Sequence, residues 1–124
     1  DYGGDSSDVE SSLESGCTAV TSNYYSFAAL KNDGSVVTWG NTAYGADSSS
    51  ITGSASSLSG VSEIFSTNRA FAALISSGTV ACWGDSSYGG DCSSPYPSGS
   101  TSSLTSVSTI YSTKYYYCRR GGFF

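Results

Sequence analysis

The chain repeats itself at a spacing of about 44 residues, and that rhythm limits what it can fold into more than any other feature. Tyr2-Gly3-Gly4-Asp5 returns as Tyr44-Gly45-Ala46-Asp47 and again as Tyr88-Gly89-Gly90-Asp91. Phe27-Ala28-Ala29-Leu30 returns as Phe71-Ala72-Ala73-Leu74, and Val37-Thr38-Trp39-Gly40 as Ala81-Cys82-Trp83-Gly84, both shifted by 44. Between these landmarks Leu13, Cys17 and Val20 align with Leu58, Val61 and Ile64, then with Leu104, Val107 and Ile110. A unit of this length is one supersecondary module that cannot bury its apolar face alone, so neighbouring units must stack. The 124 residues therefore read as a single repeat domain: a partial unit over 1–43, a unit over 44–87 and a truncated unit over 88–124.

Each unit reads as β-structure. Apolar stretches at 27–31 and 35–39 flank Asn32-Asp33-Gly34, whose Asp-Gly tolerates the positive φ of a tight hairpin turn; Ser76-Ser77-Gly78 takes that place in the next copy. Residues 61–66 and 107–111 predict further strands, although Val61 and Ile64 lie three apart and break strict alternation. Their Ser, Thr and β-branched content disfavours helix. The Ser-rich stretches at 48–60 and 93–106 read as long connections, the second holding the only prolines, Pro95 and Pro97. The fold class is all-β, with short antiparallel hairpins arranged like propeller blades; the alternative is a closed β-trefoil, whose three units of similar length also suit the chain.

The order Leu-x-x-Asp-Gly-x-Val-x-x-Trp-Gly-x-x-x-x-Gly, running from Leu30 to Gly45, resembles the repeat of the regulator of chromosome condensation family, a β-propeller family. Val61-x-x-Ile64 and Phe71-Ala72-Ala73-Leu74 fall where that repeat has its next strands. The resemblance implies strand order only. The period here is shorter, Phe or Tyr replaces the His common before the Ala-Leu strand, and the family's exchange-factor activity belongs to a seven-bladed surface that this chain does not build.

Composition narrows the function. A net charge of −5, with five Lys and Arg scattered over residues 31–120, offers no basic stripe for phosphates, so nucleic acid is not an expected partner. No apolar run approaches the roughly 20 residues of a membrane span. Ser and Thr make up a third of the chain, and 2 Trp, 10 Tyr and 5 Phe supply much of the area available for burial. With no His, no Gly-x-Ser-x-Gly elbow and no phosphate-cradling Lys loop, we expect no enzyme and no cofactor. The chain starts at Asp1 without a cationic and apolar leader, which reads as a processed secreted protein or a fragment. There is no Asn-x-Ser/Thr sequon, so any glycosylation would be O-linked.

Four cysteines without His favour disulfides over zinc. Cys82 with Cys92 joins a strand to its following loop, which leaves Cys17 with Cys118 to tie the first copy to the third. Asp5, Asp47 and Asp91 recur after Gly-containing loops; they read as turn caps before they read as a calcium or glycosidase set, and the acidic cluster Asp1, Asp5, Asp8, Glu10 and Glu14 reads as a solvated face. Trp39, Trp83, Tyr44 and Tyr88 could stack on sugar rings, one site per repeat, although their fixed places beside Gly suit core filling better.

The copies are cut out of phase. The opening loop lacks the strands that should precede it, and after Tyr115-Tyr116-Tyr117 and Cys118 the sequence leaves the pattern and ends in Phe123-Phe124. Such a stack leaves apolar ends and unpaired edges. The expectation is therefore an extracellular or cell-surface structural protein that self-assembles head to tail through its terminal strands, with Tyr115, Tyr116, Tyr117, Phe123 and Phe124 as the joining segment. Its main partner would be itself, in a fibre or surface layer; the alternative is a secreted carbohydrate-binding module with glycans as partners.

Overall fold

The computed structural model describes residues 3–53, 58–93, 106–114, 117–119 and 122–123. The described chain is mostly β and all of its strand pairs are antiparallel. The first sheet has the order β1 (Cys17–Ser22), β2 (Ser26–Lys31), β3 (Val36–Gly40). A second sheet contains β5 (Val61–Ser66), β6 (Ala70–Ile75) and β7 (Val80–Gly84) in the same order, with a short strand β4 (Thr52–Gly53) on the outer edge of β7. The third has β8 (Ile110–Ser112), β9 (Tyr117–Arg119) and β10 (Gly122–Phe123).

Register shows how closely the first two sheets copy each other. Phe27 pairs with Trp39 and Ala28 with Thr38; 44 residues on, Phe71 pairs with Trp83 and Ala72 with Cys82. The irregular spacing of Val61 and Ile64 has a local cause. A register shift between Val61 and Glu63 inserts an extra residue into β5, and the same bulge lies between Cys17 and Ala19 in β1. An added residue flips the pleat once, so two residues three apart reach one face.

Stacking follows from alternation. Along β6, Phe71, Ala73 and Ile75 face the first sheet, where they form one core with Ala28, Leu30, Val61, Ile64, Ala81 and Trp83. Ala72 and Leu74 face the other way and join Val80, Cys82, Cys92, Val107 and Ile110 in a second core against the third sheet. All six residues of β6 are buried, as expected of a strand covered on both faces. The contact between sheets repeats in detail: the Val61 N–H donates to the Gly34 carbonyl at 3.0 Å, and the Val107 N–H to the Gly78 carbonyl at 2.9 Å. Likewise the Tyr24 N–H donates to the Asn68 carbonyl, and the Asn68 N–H to that of Lys114. Ser106 holds φ at 58° where Gly16 and Gly60 stand in the earlier sheets, so the turn keeps its left-handed backbone without the residue that adopts it most easily.

Several expectations need correction. The stretch 48–60 is not connection alone, because Thr52–Gly53 pairs with Cys82 and Ala81. The strand expected over 107–111 is Ile110–Ser112, with Val107 buried ahead of it. The acidic amino-terminal stretch departs from the all-β class with a 3-10 turn over Ser7–Val9 and a short helix α1 (Glu10–Leu13), while its Asp5, Asp8, Glu10 and Glu14 stay exposed, as read from the sequence. Cys17 is a free, exposed thiol, so the bridge from it to Cys118 is not formed. The second sheet lies between β1 and β9, sheets stack about 10 Å apart, and a disulfide needs Cα atoms within about 7 Å.

The Cys82–Cys92 disulfide, with Cα atoms 5.8 Å apart, has a counterpart in the first sheet. There the equivalent positions are Thr38 and Ser48, whose hydroxyls meet at 3.3 Å. Replacing both cysteines by the residues of that pair, Cys82→Thr with Cys92→Ser, should keep the fold and lower its stability by about 2–3 kcal/mol, measured by urea unfolding. An unchanged midpoint would show that the cross-link adds nothing to a pair already held by packing.

Candidate functional site

The four aromatic positions singled out for ring stacking have different fates. Trp83 is fully buried, and its indole N–H donates to the Gly45 carbonyl at 3.0 Å, so it offers no face to a ligand. Gly45 makes this contact possible: its φ is 104°, and a Cβ there would lie 2.7 Å from the Phe71 ring. Tyr44 and Tyr88 are half-buried and hold the Arg69 guanidinium between them, 5.0 Å above one ring centroid and 4.5 Å above the other. Tyr25 extends the column through a T-shaped contact with Tyr44, ring centroids 4.7 Å apart. Tyr25 and Arg69 are 44 apart and occupy equivalent places, so the two tyrosines take part in a column that links successive units. Arg69 also pairs with Asp85 at 3.7 Å, a partly exposed contact of small energetic value beside the rings.

The loops that carry these tyrosines are held by their own polar atoms. The Tyr44 carbonyl accepts from Asn23 Nδ2 at 2.6 Å and Ser26 Oγ at 2.7 Å, and the Tyr88 carbonyl accepts from Thr67 Oγ1 at 2.6 Å. Asn41 and Asp85 cap the 3-10 turns that end in these tyrosines by accepting from the Ala43 and Ser87 N–H groups. Asp5, Asp47 and Asp91 each accept from the backbone N–H two residues on, at 3.0, 2.9 and 2.9 Å. Among the described residues no three His, Cys, Asp or Glu side chains gather into a metal cluster.

The two ends of the stack differ from its middle. Ile64 and Ile110 are 8% and 2% exposed, each pressed against the preceding sheet, whereas Val20, the equivalent residue of β1, is 58% exposed. On the opposite side, Phe65 of β5 packs on the second core, while Tyr111, one residue after Ile110 as Phe65 is after Ile64, is 62% exposed. One end thus shows the back of a unit and the other the front of one. Tyr115, Tyr116 and Phe124, and the side chains of Tyr117, Cys118 and Phe123, lie outside the described residues.

Trp39 behaves unlike its twin. It stacks flat on Phe27, with centroids 5.2 Å apart and planes 9° from parallel, but it is only partly buried and borders an open cavity lined on its other side by Gly3, Gly4, Asp5, Ser6, Asp8 and Val9. No helix among the described residues is long and apolar enough to cross a membrane. No family model, curated protein or solved structure matches the chain.

Arg69→Ala removes the cation from between two rings and should cost about 1–2 kcal/mol in thermal or urea unfolding, with Arg69→Lys recovering only part because an ammonium cannot stack flat on both faces. Asp5, Asp33, Asp47 and Asp91 titrate below the ordinary aspartate range. Ser7 N–H and then its hydroxyl hold Asp5 down, and the hydroxyls and N–H groups of Ser35, Ser49 and Ser93 do the same for Asp33, Asp47 and Asp91. A folded-state pKa below the unfolded one gives stability that is present above the unfolded value and lost as pH falls toward the folded one. Unfolding midpoints should therefore be flat near neutrality and fall below about pH 4. Asp47→Asn keeps the acceptor oxygen and should reduce that slope; a slope identical to the parent's would remove Asp47 from the account.

Proposed function

We propose that the protein is an extracellular structural protein whose copies join head to tail, sheet stacked on sheet in the manner of propeller blades, into a fibre or surface layer. The observation that carries this reading is the contrast between Val20 at 58% exposure and its buried equivalents Ile64 and Ile110. The molecule itself contains the pattern for covering such a face: the front of one unit seats on the back of the next, with backbone bonds from Val61 and Val107 to Gly34 and Gly78. A second copy presenting its Tyr111 side to the Val20 side would repeat that contact. A heterologous contact of this kind forms a ring where its rotation closes and a filament where it does not.

Charge and chemistry fit the same reading. Only five cations and ten acids are spread over the chain, so stacked copies repel little, and the hydroxyl-rich surface hydrates without adding charge. The Cys82–Cys92 disulfide suits an oxidising compartment. Strands β9 and β10 belong to the third sheet, the one on the Tyr111 side, and in this reading the aromatic terminal segment Tyr115, Tyr116, Tyr117, Phe123 and Phe124 serves the joining end.

Val20→Lys tests it, since a change at an exposed site costs the fold little, within about 0.5 kcal/mol. The parent should elute as large or polydisperse species by size exclusion with light scattering, and the variant as a single 12.7 kDa species with an unchanged unfolding midpoint. Removing residues 115–124 should have the same effect on assembly. A parent that stays monomeric at every concentration sinks the reading, as does a variant that assembles like the parent.

A further inference from the structure

The first and second sheets are copies, yet the space outside their third strands is filled differently. In the second, β4 lies along β7 and Thr52 Oγ1 bonds the Cys82 and Gly90 carbonyls. In the first, residues 7–9 coil into a 3-10 turn, and among the described residues no strand pairs with the outer edge of β3. A cavity of about 310 Å³ remains between that edge and the amino-terminal segment. Trp39 borders it, along with Asp5, Ser6, Asp8, Thr38 and Thr42. The Trp83 indole N–H is taken by Gly45, but among the described residues nothing accepts from that of Trp39.

These groups point to one class of ligand. Phe27 backs one side of the Trp39 ring and braces it, as a stacking platform requires. Asp5 spends one oxygen on the Ser7 N–H, which fixes its carboxylate, and the bonds from Ser7 keep it ionised down to low pH. Charged carboxylates accept paired hydroxyl donors strongly, and the hydroxyls of Ser6, Thr38 and Thr42 both donate and accept. Among the described residues that line the space there is no Lys or Arg, and Asp5 and Asp8 disfavour an anionic ligand. The volume lies at the lower end of the range for small-molecule sites, enough for a mono- or disaccharide.

We propose that this cavity is a saccharide site for neutral sugars, not repeated at the buried Trp83 of the second unit, in which Trp39 stacks on the apolar face of a sugar ring and Asp5 and Asp8 accept its hydroxyls. The site does not depend on head-to-tail assembly, because all of its lining residues belong to one copy.

Isothermal titration of the full chain with cellobiose, maltose and N,N′-diacetylchitobiose, and with a uronic-acid disaccharide as the anionic probe, tests it. At least one neutral disaccharide should bind saturably with a millimolar or tighter Kd, and the anionic one should not. Trp39→Ala should weaken binding at least about tenfold. Asp8→Asn lies on an exposed turn, and should weaken binding several-fold with the circular dichroism spectrum and unfolding midpoint unchanged, which decides the matter where Trp39→Ala disturbs the fold. Trp39→Phe leaves Trp83 as the sole indole, and its emission should not respond to sugar. The proposal is overturned by the absence of saturable binding for all neutral probes, by tighter binding of the anionic one, or by Asp8→Asn and Trp39→Ala proteins that bind like the parent.

Discussion

A short β-sheet with apolar side chains on both faces is stable only when both faces are covered, and that requirement organises this molecule. The second sheet meets it. Phe71, Ala73 and Trp83 press on the first sheet, while Ala72, Leu74 and Cys82 press on the third, so β6 is buried along its whole length. The outer sheets meet it on one side only. Val20 and Tyr111 stand open because no further unit lies beyond them among the described residues, and not because their residue types differ from the buried Ile64 and Phe65 in kind.

Close stacking leaves little room for loops, so the loops satisfy their own polar groups. Asn41 and Asp85 cap the turns that present Tyr44 and Tyr88, and Asn23, Ser26 and Thr67 take up the carbonyls of those tyrosines. The tyrosines then clasp Arg69, which places a cation where Tyr25 sits one unit earlier. A polar or ionic group is tolerated there because two ring faces replace the water it gives up. The same economy shows in the Thr38–Ser48 hydroxyl contact, which the second unit replaces by a covalent bond between Cys82 and Cys92.

Assembly and sugar binding, as proposed, use different departures from the repeat. The first uses faces that the repeat leaves uncovered at its ends. The second uses the place where residues 7–9 coil, leaving the edge of β3 without the strand that Thr52–Gly53 supplies to β7. A sugar-binding fibre or layer would bring many such clefts into one array, and weak single-site affinity then sums through multivalency.

Much of this was legible in the residues. Asp33-Gly34 and Ser77-Gly78 mark hairpin turns, the 44-residue shift pairs Phe27 with Phe71 and Trp39 with Trp83, and Asp5, Asp47 and Asp91 announce turn caps because the side chain must bond a backbone only two residues away. Other features were hidden. Nothing in Arg69 itself tells that it lies between two rings brought together from residues 44 and 88, though its place 44 after Tyr25 was a usable signal. The bulge after Val61 was visible as broken alternation, but its meaning was not. The sequence alone determined the period, the strand chemistry and the turns, since these rest on interactions between near neighbours. Only the tertiary structure decided that Trp83 is buried while Trp39 borders a cavity, that Cys17 stays free, and that Val20 is open. Each depends on which sheet covers which, and that is set by contacts between units and not by the residues within one.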